Sequence, residues 1–191
     1  MEKKFQDDER ERMEKADKEA YEMAVRFFTK FVDKDKDGNP IDYNFERIEG
    51  TGYRYDMYVT ATTPTNVAYY VVEIKARKVN ECRREWDDVM IEEDKWNAQF
   101  QYDDKFQPLY FSLENPLGNK NVPLSVSIFD LKKIRPHLRE MRRGHDYFPK
   151  KTETANKVKV IKDVFYLPKY NKELNSYYRW DVKEQTFVMP L

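Results

Sequence analysis

Apolar residues recur at three- and four-residue steps near the start of the chain and at alternate positions further along it. Residues 7 to 32 carry one apolar stripe, which predicts a long amphipathic helix. Its members are Met13, Ala16, Ala20, Ala24, Phe27 and Phe31. The alternating segments are typical of strands, and the one at 67–76 is rich in β-branched and aromatic residues.

The order of the predicted elements indicates the fold class. Strands are predicted at 42–48, 53–61, 67–76, 108–113, 122–131 and 158–167, with a second helix at 94–105. A helix, a group of strands, a helix and further strands predict a single domain of the α/β or α+β class. We expect a mixed central sheet flanked by helices, with the core at 10–115 and a β-rich C-terminal extension at 116–191 packed on it.

Charge and cysteine content narrow the function classes. The 191 residues include 35 Lys and Arg against 35 Asp and Glu, which excludes a uniformly basic nucleic-acid binder. The single cysteine, Cys82, excludes an intramolecular disulfide and a cysteine-based zinc site. Any metal ion would therefore be a hard cation held by carboxylate oxygens. The N-terminus lacks a secretory h-region and no apolar run is long enough to span a membrane, so a reducing, cytoplasmic location is expected.

The segment 53–76 predicts a hairpin that brings two acids together. A symmetric turn between Pro64 and Thr65 pairs residues whose numbers sum to 129, so Asp56 lies opposite Glu73. Such partners have Cβ atoms roughly 4.5–5.5 Å apart on one face of the sheet. Two carboxylates about 5 Å apart repel by on the order of 3 kcal/mol at an effective dielectric near 20.

Three arrangements could offset this repulsion. A divalent cation could use both carboxylates as ligands, a proton could be shared between them, or Arg54 and Lys75 could pair with them. The spacing of Glu73 and Lys75 recurs elsewhere in this highly charged chain, so the spacing alone carries little weight. Glu73 differs from the other acids because it ends the most apolar strand and faces another acid.

Asp56 and the tripeptide Glu73-Ile74-Lys75, placed between two predicted helices, resemble the PD-(D/E)XK nuclease superfamily. The resemblance covers roughly residues 10 to 115 and implies a restriction-endonuclease-like core. The residue before Asp56 is Tyr55, where the family name has proline.

The resemblance implies a role for each residue of the motif. Asp56, Glu73 and the main-chain carbonyl of Ile74 would bind Mg²⁺ or Mn²⁺, and Lys75 would orient or deprotonate the attacking water. An acid on the first helix would complete the site, and we expect Glu19 in preference to Glu22.

Lys95 and Gln99 lie one turn apart on the second predicted helix, so both could point at a phosphate. An exposed helix face is the alternative for these two residues.

A basic stretch at 132–151 could supply the phosphate-binding surface that a nuclease needs. The residues that we expect to contact nucleic acid there are Arg142, Arg143, Lys150 and Lys151. A solvated loop with aromatic anchors in the core is the competing interpretation.

These patterns together predict a divalent-metal-dependent nuclease that hydrolyses phosphodiester bonds, with DNA as the expected substrate. The alternative is a catalytically inactive nucleic-acid-binding or protein-interaction module on the same fold, as part of a phage or mobile-element assembly. No membrane partner is expected. Oligomeric state is left open, a homodimer included.

Overall fold

The fold was analysed in a computed structural model, which describes residues 2–48, 55–77, 88–101, 104–114, 125–149, 159–169, 171, 173, 175–181 and 186–188. The helical elements are α1 (Glu2–Arg26), a π-helical turn (Phe27–Phe31), α2 (Glu93–Gln99), α3 (Leu131–Ile134) and a 3₁₀ turn (Arg135–Glu140). The strands are β1 (Asp42–Arg47), β2 (Met57–Thr62), β3 (Val67–Arg77), β4 (Asp88–Glu92), β5 (Phe106–Glu114), β6 (Ser125–Asp130), β7 (Arg142–Pro149), β8 (Lys159–Pro168), β9 (Asn175–Asp181) and β10 (Thr186–Val188).

The described strands form two sheets. The larger sheet has the order β1-β2-β3-β5-β6-β9-β10, and the smaller one has the order β4-β8-β7. β3 pairs antiparallel with β2 and parallel with β5, so the central sheet is mixed. The predicted mixed α/β architecture of the α+β class is therefore confirmed. Strands from the predicted C-terminal extension join the central sheet itself, because β6, β9 and β10 continue its hydrogen-bonded order.

The two faces of the central sheet bury separate apolar clusters. On one face, α1 and the π-helical turn pack Ala24 and Phe27 against Val72 and Phe111. On the other face, Trp96 of α2 joins a cluster that includes residues of β5 and of the smaller sheet. Successive residues of a strand point to opposite faces, so the odd-numbered residues of β3 face the α2 side.

The register of the β2–β3 hairpin agrees with the prediction. Met57 pairs with Val72, and Thr62 pairs with Val67. The hairpin closes through a tight turn, in which the main-chain amide of Thr63 donates to the Asn66 carbonyl at 2.8 Å. A short turn of this kind fixes the pairing on both sides of it. The pair numbers sum to 129, as the sequence predicted.

Two predicted helices end earlier than expected. The apolar stripe continues to residue 31, but α1 ends at Arg26 and a π-helical turn replaces its last predicted turn. The second helix covers 93–99 instead of 94–105, and β5 begins at Phe106. In the described residues, no helix has both the length and the apolar character that crossing a membrane requires.

Candidate active site

Asp56 directly precedes β2 and Glu73 lies on β3, so the hairpin brings the two acids close together as predicted. The Asp56 amide donates to the Val72 carbonyl at 2.9 Å. The Asp56 Oδ2 atom accepts a hydrogen bond of 2.6 Å from the main-chain amide of Ile74. Glu73 lies between these two partners on β3 and is only 3% exposed. The Asp56 carboxylate is thereby fixed at the strand edge beside the buried glutamate.

The electrostatics of the pair follow from burial and from mutual repulsion. Burial and the negative charge of Asp56 raise the pKa of Glu73 to about 7, against the opposing effect of Lys95 and Lys75. Burial also raises the pKa of Asp56, although the Ile74 amide and nearby cations lower it. A carboxyl group with a pKa near 7 is protonated in part of the molecules at neutral pH. Protonation of Glu73 removes its repulsion from Asp56.

Lys95 is the cation that contacts the pair directly. Its Nζ atom lies 3.0 Å from Glu73 Oε1, and the negative charge of Glu73 is the largest contribution that raises the pKa of Lys95 against its burial. Sequence analysis placed Lys95 at a phosphate and gave pairing with Arg54 and Lys75 as one of three ways to offset the repulsion between the acids. Arg54 lies outside the described residues. The packing of α2 over β3 brings the ammonium group of Lys95 to Glu73, a contact that the sequence did not predict. The assignment of Lys95 to a phosphate stays a prediction.

Lys75 and Arg47 complete the positive charges near the pair. Lys75 lowers the pKa of both Asp56 and Glu73, as expected for the third residue of the motif. Arg47, the last residue of β1, also lowers the pKa of Asp56. Its guanidinium carbon lies 5.0 Å from the centre of the Tyr21 ring of α1. Arg47 therefore connects α1 with the acid pair, a role that sequence analysis missed.

Asp17 of α1 is electrostatically coupled to Asp56. Desolvation and the charge of Asp56 raise the pKa of Asp17, while Lys75 lowers it. The pKa of Glu19 is raised by desolvation, and the charges that act on it are those of Lys15 and Glu22. The electrostatic coupling to Asp56 therefore favours Asp17 as the acid of α1, and the choice of Glu19 stays a prediction.

Helical geometry explains this difference and supplies the signal that was missed. At about 100° per residue, Asp17 lies within about 20° of the buried Ala24, whereas Glu19 lies about 140° from it. Asp17 thus lies on the side of α1 that carries the apolar stripe, although its own side chain stays exposed. A charged residue at a helical position that apolar residues otherwise occupy is unusual, and Asp17 could have been noticed in the sequence for this reason.

The residues present fit a hard divalent cation. Glu73 Oε2 is buried and has no hydrogen-bond partner among the described residues. The N–H and C=O of one strand residue point to the same side, so the Ile74 carbonyl faces the edge where its amide meets Asp56. Two carboxylates and a carbonyl are hard oxygen donors, and Mg²⁺ keeps several waters beside such ligands. The described residues contain no cluster of three or more His, Cys, Asp or Glu side chains arranged for a metal ion.

A small cleft opens from Glu73 to solvent. Its lining residues are Glu73, Lys75, Met90, Ile91, Glu92, Lys95 and Tyr110. Both motif residues of β3 therefore reach the same opening, together with the ammonium group of α2. The free space of this cleft is enough for about one water molecule beside these mixed charges.

The other residues predicted to bind nucleic acid have varied surroundings. Gln99 is 1% exposed, so its amide does not face a solvent-accessible phosphate, and this prediction is wrong for the described conformation. Arg142 Nη2 lies 2.6 Å from Asp88 Oδ2, and the guanidinium carbon of Arg142 lies 3.6 Å from the centre of the Tyr166 ring. The Arg142 side chain nevertheless stays exposed. Arg143 is exposed beside the Phe165 ring. Lys150 and Lys151 lie outside the described residues.

Comparisons with known proteins found no matching family model, no matching curated protein and no matching solved structure. Two adjacent carboxylates can bind a divalent cation, and the ammonium groups of Lys75 and Lys95 can bind the oxygens of a phosphate. This combination is suited to hydrolysis of a phosphate ester.

Proposed function

We propose that this protein is a divalent-metal-dependent nuclease that hydrolyses phosphodiester bonds, with DNA as the substrate. The observation that carries the proposal is the Asp56–Glu73 pair at the edge of the hairpin. Its inner carboxylate is 3% exposed, and Oε2 of that carboxylate has no hydrogen-bond partner in the described residues. A buried carboxylate oxygen is costly to leave without a partner, and a cation would provide one. The residue pattern also resembles the PD-(D/E)XK superfamily.

Each residue has a task that follows from its position. Asp56, Glu73 and the Ile74 carbonyl would hold Mg²⁺ or Mn²⁺. The bound ion would lower the pKa of a water molecule and neutralise charge on the phosphate. Lys75 lines the cleft beside Glu73 and would orient the attacking water or bind a phosphate oxygen. With a divalent ion bound to the Glu73 carboxylate, the ammonium group of Lys95 would be free to leave Glu73 and bind a phosphate oxygen.

A second candidate function has its own supporting observation. The Lys95–Glu73 ion pair at 3.0 Å already supplies a cation to the acid pair. On that basis the acids would be structural, and the protein would be an inactive nucleic-acid-binding or protein-interaction module. The two functions differ in whether divalent ions bind at the pair.

Metal binding and cleavage test the two candidates together. We expect Mn²⁺ to raise the melting temperature of the wild-type protein but not of an Asp56→Asn/Glu73→Gln variant. Plasmid and single-stranded DNA should be cleaved with Mn²⁺ by the wild type, and much less by Lys75→Ala. Glu46→Gln, which changes an exposed acid on β1, is the matched control and should behave as the wild type. If Mn²⁺ changes neither stability nor DNA, the second candidate function is favoured.

A further inference from the structure

Three aromatic rings from three neighbouring strands form a strip on the central sheet, which we define as Tyr58, Tyr69 and Phe106. The centre of the Phe106 ring lies 5.8 Å from that of Tyr58 and 5.9 Å from that of Tyr69. Lys105 places its Nζ atom 5.1 Å from the centre of the Phe106 ring and 5.6 Å from that of Tyr69. The strip therefore combines aromatic faces with one positive charge.

The aromatic strip shares a face of the sheet with the acid pair. Tyr69 and Glu73 are four residues apart on β3, so their side chains point to the same side. Tyr58 pairs with Val71 and Phe106 pairs with Tyr69, which continues this face across β2 and β5. Tyr58 is also only two residues from Asp56. At about 3.3 Å per residue, Tyr69 at the far end of the strip lies about 13 Å from Glu73 along the strand.

The strip differs from the aromatic residues that build the core. Tyr70, on the opposite face, packs against Phe28 with ring centres 5.8 Å apart and belongs to the cluster under α1. Neither buried cluster of the described residues includes the three rings of the strip. Tyr69 is 36% exposed and Val67, two residues earlier on the same face, is 44% exposed. This end of the sheet thus presents apolar surface to solvent.

We propose that the aromatic strip with Lys105 binds a single-stranded segment of nucleic acid and leads it to the acid pair; this inference rests on the proposed nuclease function. Bases stack on aromatic side chains independently of sequence, and a nearby cation attracts the phosphates between them. Bases inside a duplex have no free face for such stacking. The distance of about 13 Å from Tyr69 to Glu73 corresponds to about four nucleotides at the 3.4 Å spacing of a stacked strand. The substrate is therefore single-stranded DNA, or a duplex with a single-stranded end.

Binding without cleavage tests this proposal. A short fluorescent oligothymidylate is titrated with the full-length protein in EDTA, and the same titration is repeated with a blunt duplex. We expect Tyr69→Ala to weaken oligothymidylate binding by about five-fold to a hundred-fold, the range for loss of one base stack. Lys105→Ala should weaken it as well and reduce its dependence on salt concentration. Tyr69→Trp should retain binding, and duplex binding should change little.

Two control variants separate a specific effect from a general one. Ile161→Ala removes a 61% exposed apolar side chain from β8 in the smaller sheet, and Lys133→Ala removes an exposed lysine from α3. Both should leave oligothymidylate binding unchanged. Equal losses in strip and control variants, or unchanged binding in Tyr69→Ala, would overturn the proposal. Melting curves must show that each variant is folded.

The outcome for the strip is distinct from the outcome for the nuclease function. If strip variants lose oligothymidylate binding while Mn²⁺ supports no cleavage, the strip is a nucleic-acid site and the nuclease proposal fails. If DNA is cleaved with Mn²⁺ but the strip variants bind and cleave like the wild type, the nuclease proposal stands and the strip proposal fails.

Discussion

Replacing Glu73 with glutamine should stabilise the metal-free protein at alkaline pH. The pKa of Glu73 is raised from 4.5 to about 7 by burial and by Asp56. The native state therefore holds a proton that the unfolded chain loses more readily. The stability contributed by this group is present in full below pH 4.5 and is lost as the pH rises to about 7. Glutamine cannot ionise and should remove this loss.

The magnitude follows from the size of the pKa shift. Each pKa unit corresponds to about 1.4 kcal/mol, so ionisation of Glu73 in the folded state costs about 3 kcal/mol. This figure already includes the favourable ion pair with Lys95, because that pair lowers the pKa of Glu73. Any packing difference between the carboxyl and the amide is present at every pH and cancels when two pH values are compared.

Urea denaturation in EDTA at pH 5 and pH 8 measures the effect. The free energy of unfolding of Glu73→Gln relative to the wild type should rise by about 2–3 kcal/mol between these pH values. The control Glu46→Gln, on the exposed side of β1, should show no such rise. If the relative stability of Glu73→Gln is the same at both pH values, the buried glutamate is not destabilised by its neighbours. The reasoning about the acid pair would then be refuted.

Two further predictions concern other residues. Asp17→Asn should weaken Mn²⁺ binding several-fold in calorimetry, because the charge of Asp17 acts on Asp56. Glu19→Gln should leave Mn²⁺ binding unchanged. Equal effects of the two substitutions would contradict this prediction. Lys169→Met should lower the free energy of unfolding by about 3–5 kcal/mol, because it leaves Glu114, its partner in a buried ion pair at 2.5 Å, without a cation. Urea denaturation measures this loss of stability. Adding Glu114→Leu to Lys169→Met should restore much of the free energy of unfolding. A double variant as unstable as Lys169→Met alone would contradict the explanation.

The acid pair shows how far local pattern can predict a site. The turn at 63–66 is short, and the alternation of β3 is strong, so the pairing of residues on either side could be counted from the turn. Register then placed Asp56 opposite Glu73 without knowledge of any other element. The same counting shows that Tyr58 and Tyr69 share that face, although their stacking with Phe106 depends on the parallel pairing of β3 and β5.

The two helices show where sequence analysis failed. Lys95 and Gln99 are one turn apart, yet the first contacts Glu73 and the second is buried. The spacing of Lys95 and Gln99 predicts that both side chains lie on one face of α2. It does not predict where α2 packs on the sheet. The coupling of Asp17 to Asp56 was not predicted, because the position of α1 over the sheet is not given by the spacing of its acids.

The sequence by itself determined the alternating strands, the hairpin register and the pairing of Asp56 with Glu73, because these depend on neighbours within a few residues of one turn. Only the tertiary structure decided that Lys95 contacts Glu73 and that Asp17 lies near Asp56. It also decided that β4 pairs in a second sheet and that the C-terminal strands extend the first sheet. Those contacts join elements far apart in the chain. Their relative positions are set by the packing of whole apolar faces against one another, which residue spacing does not specify.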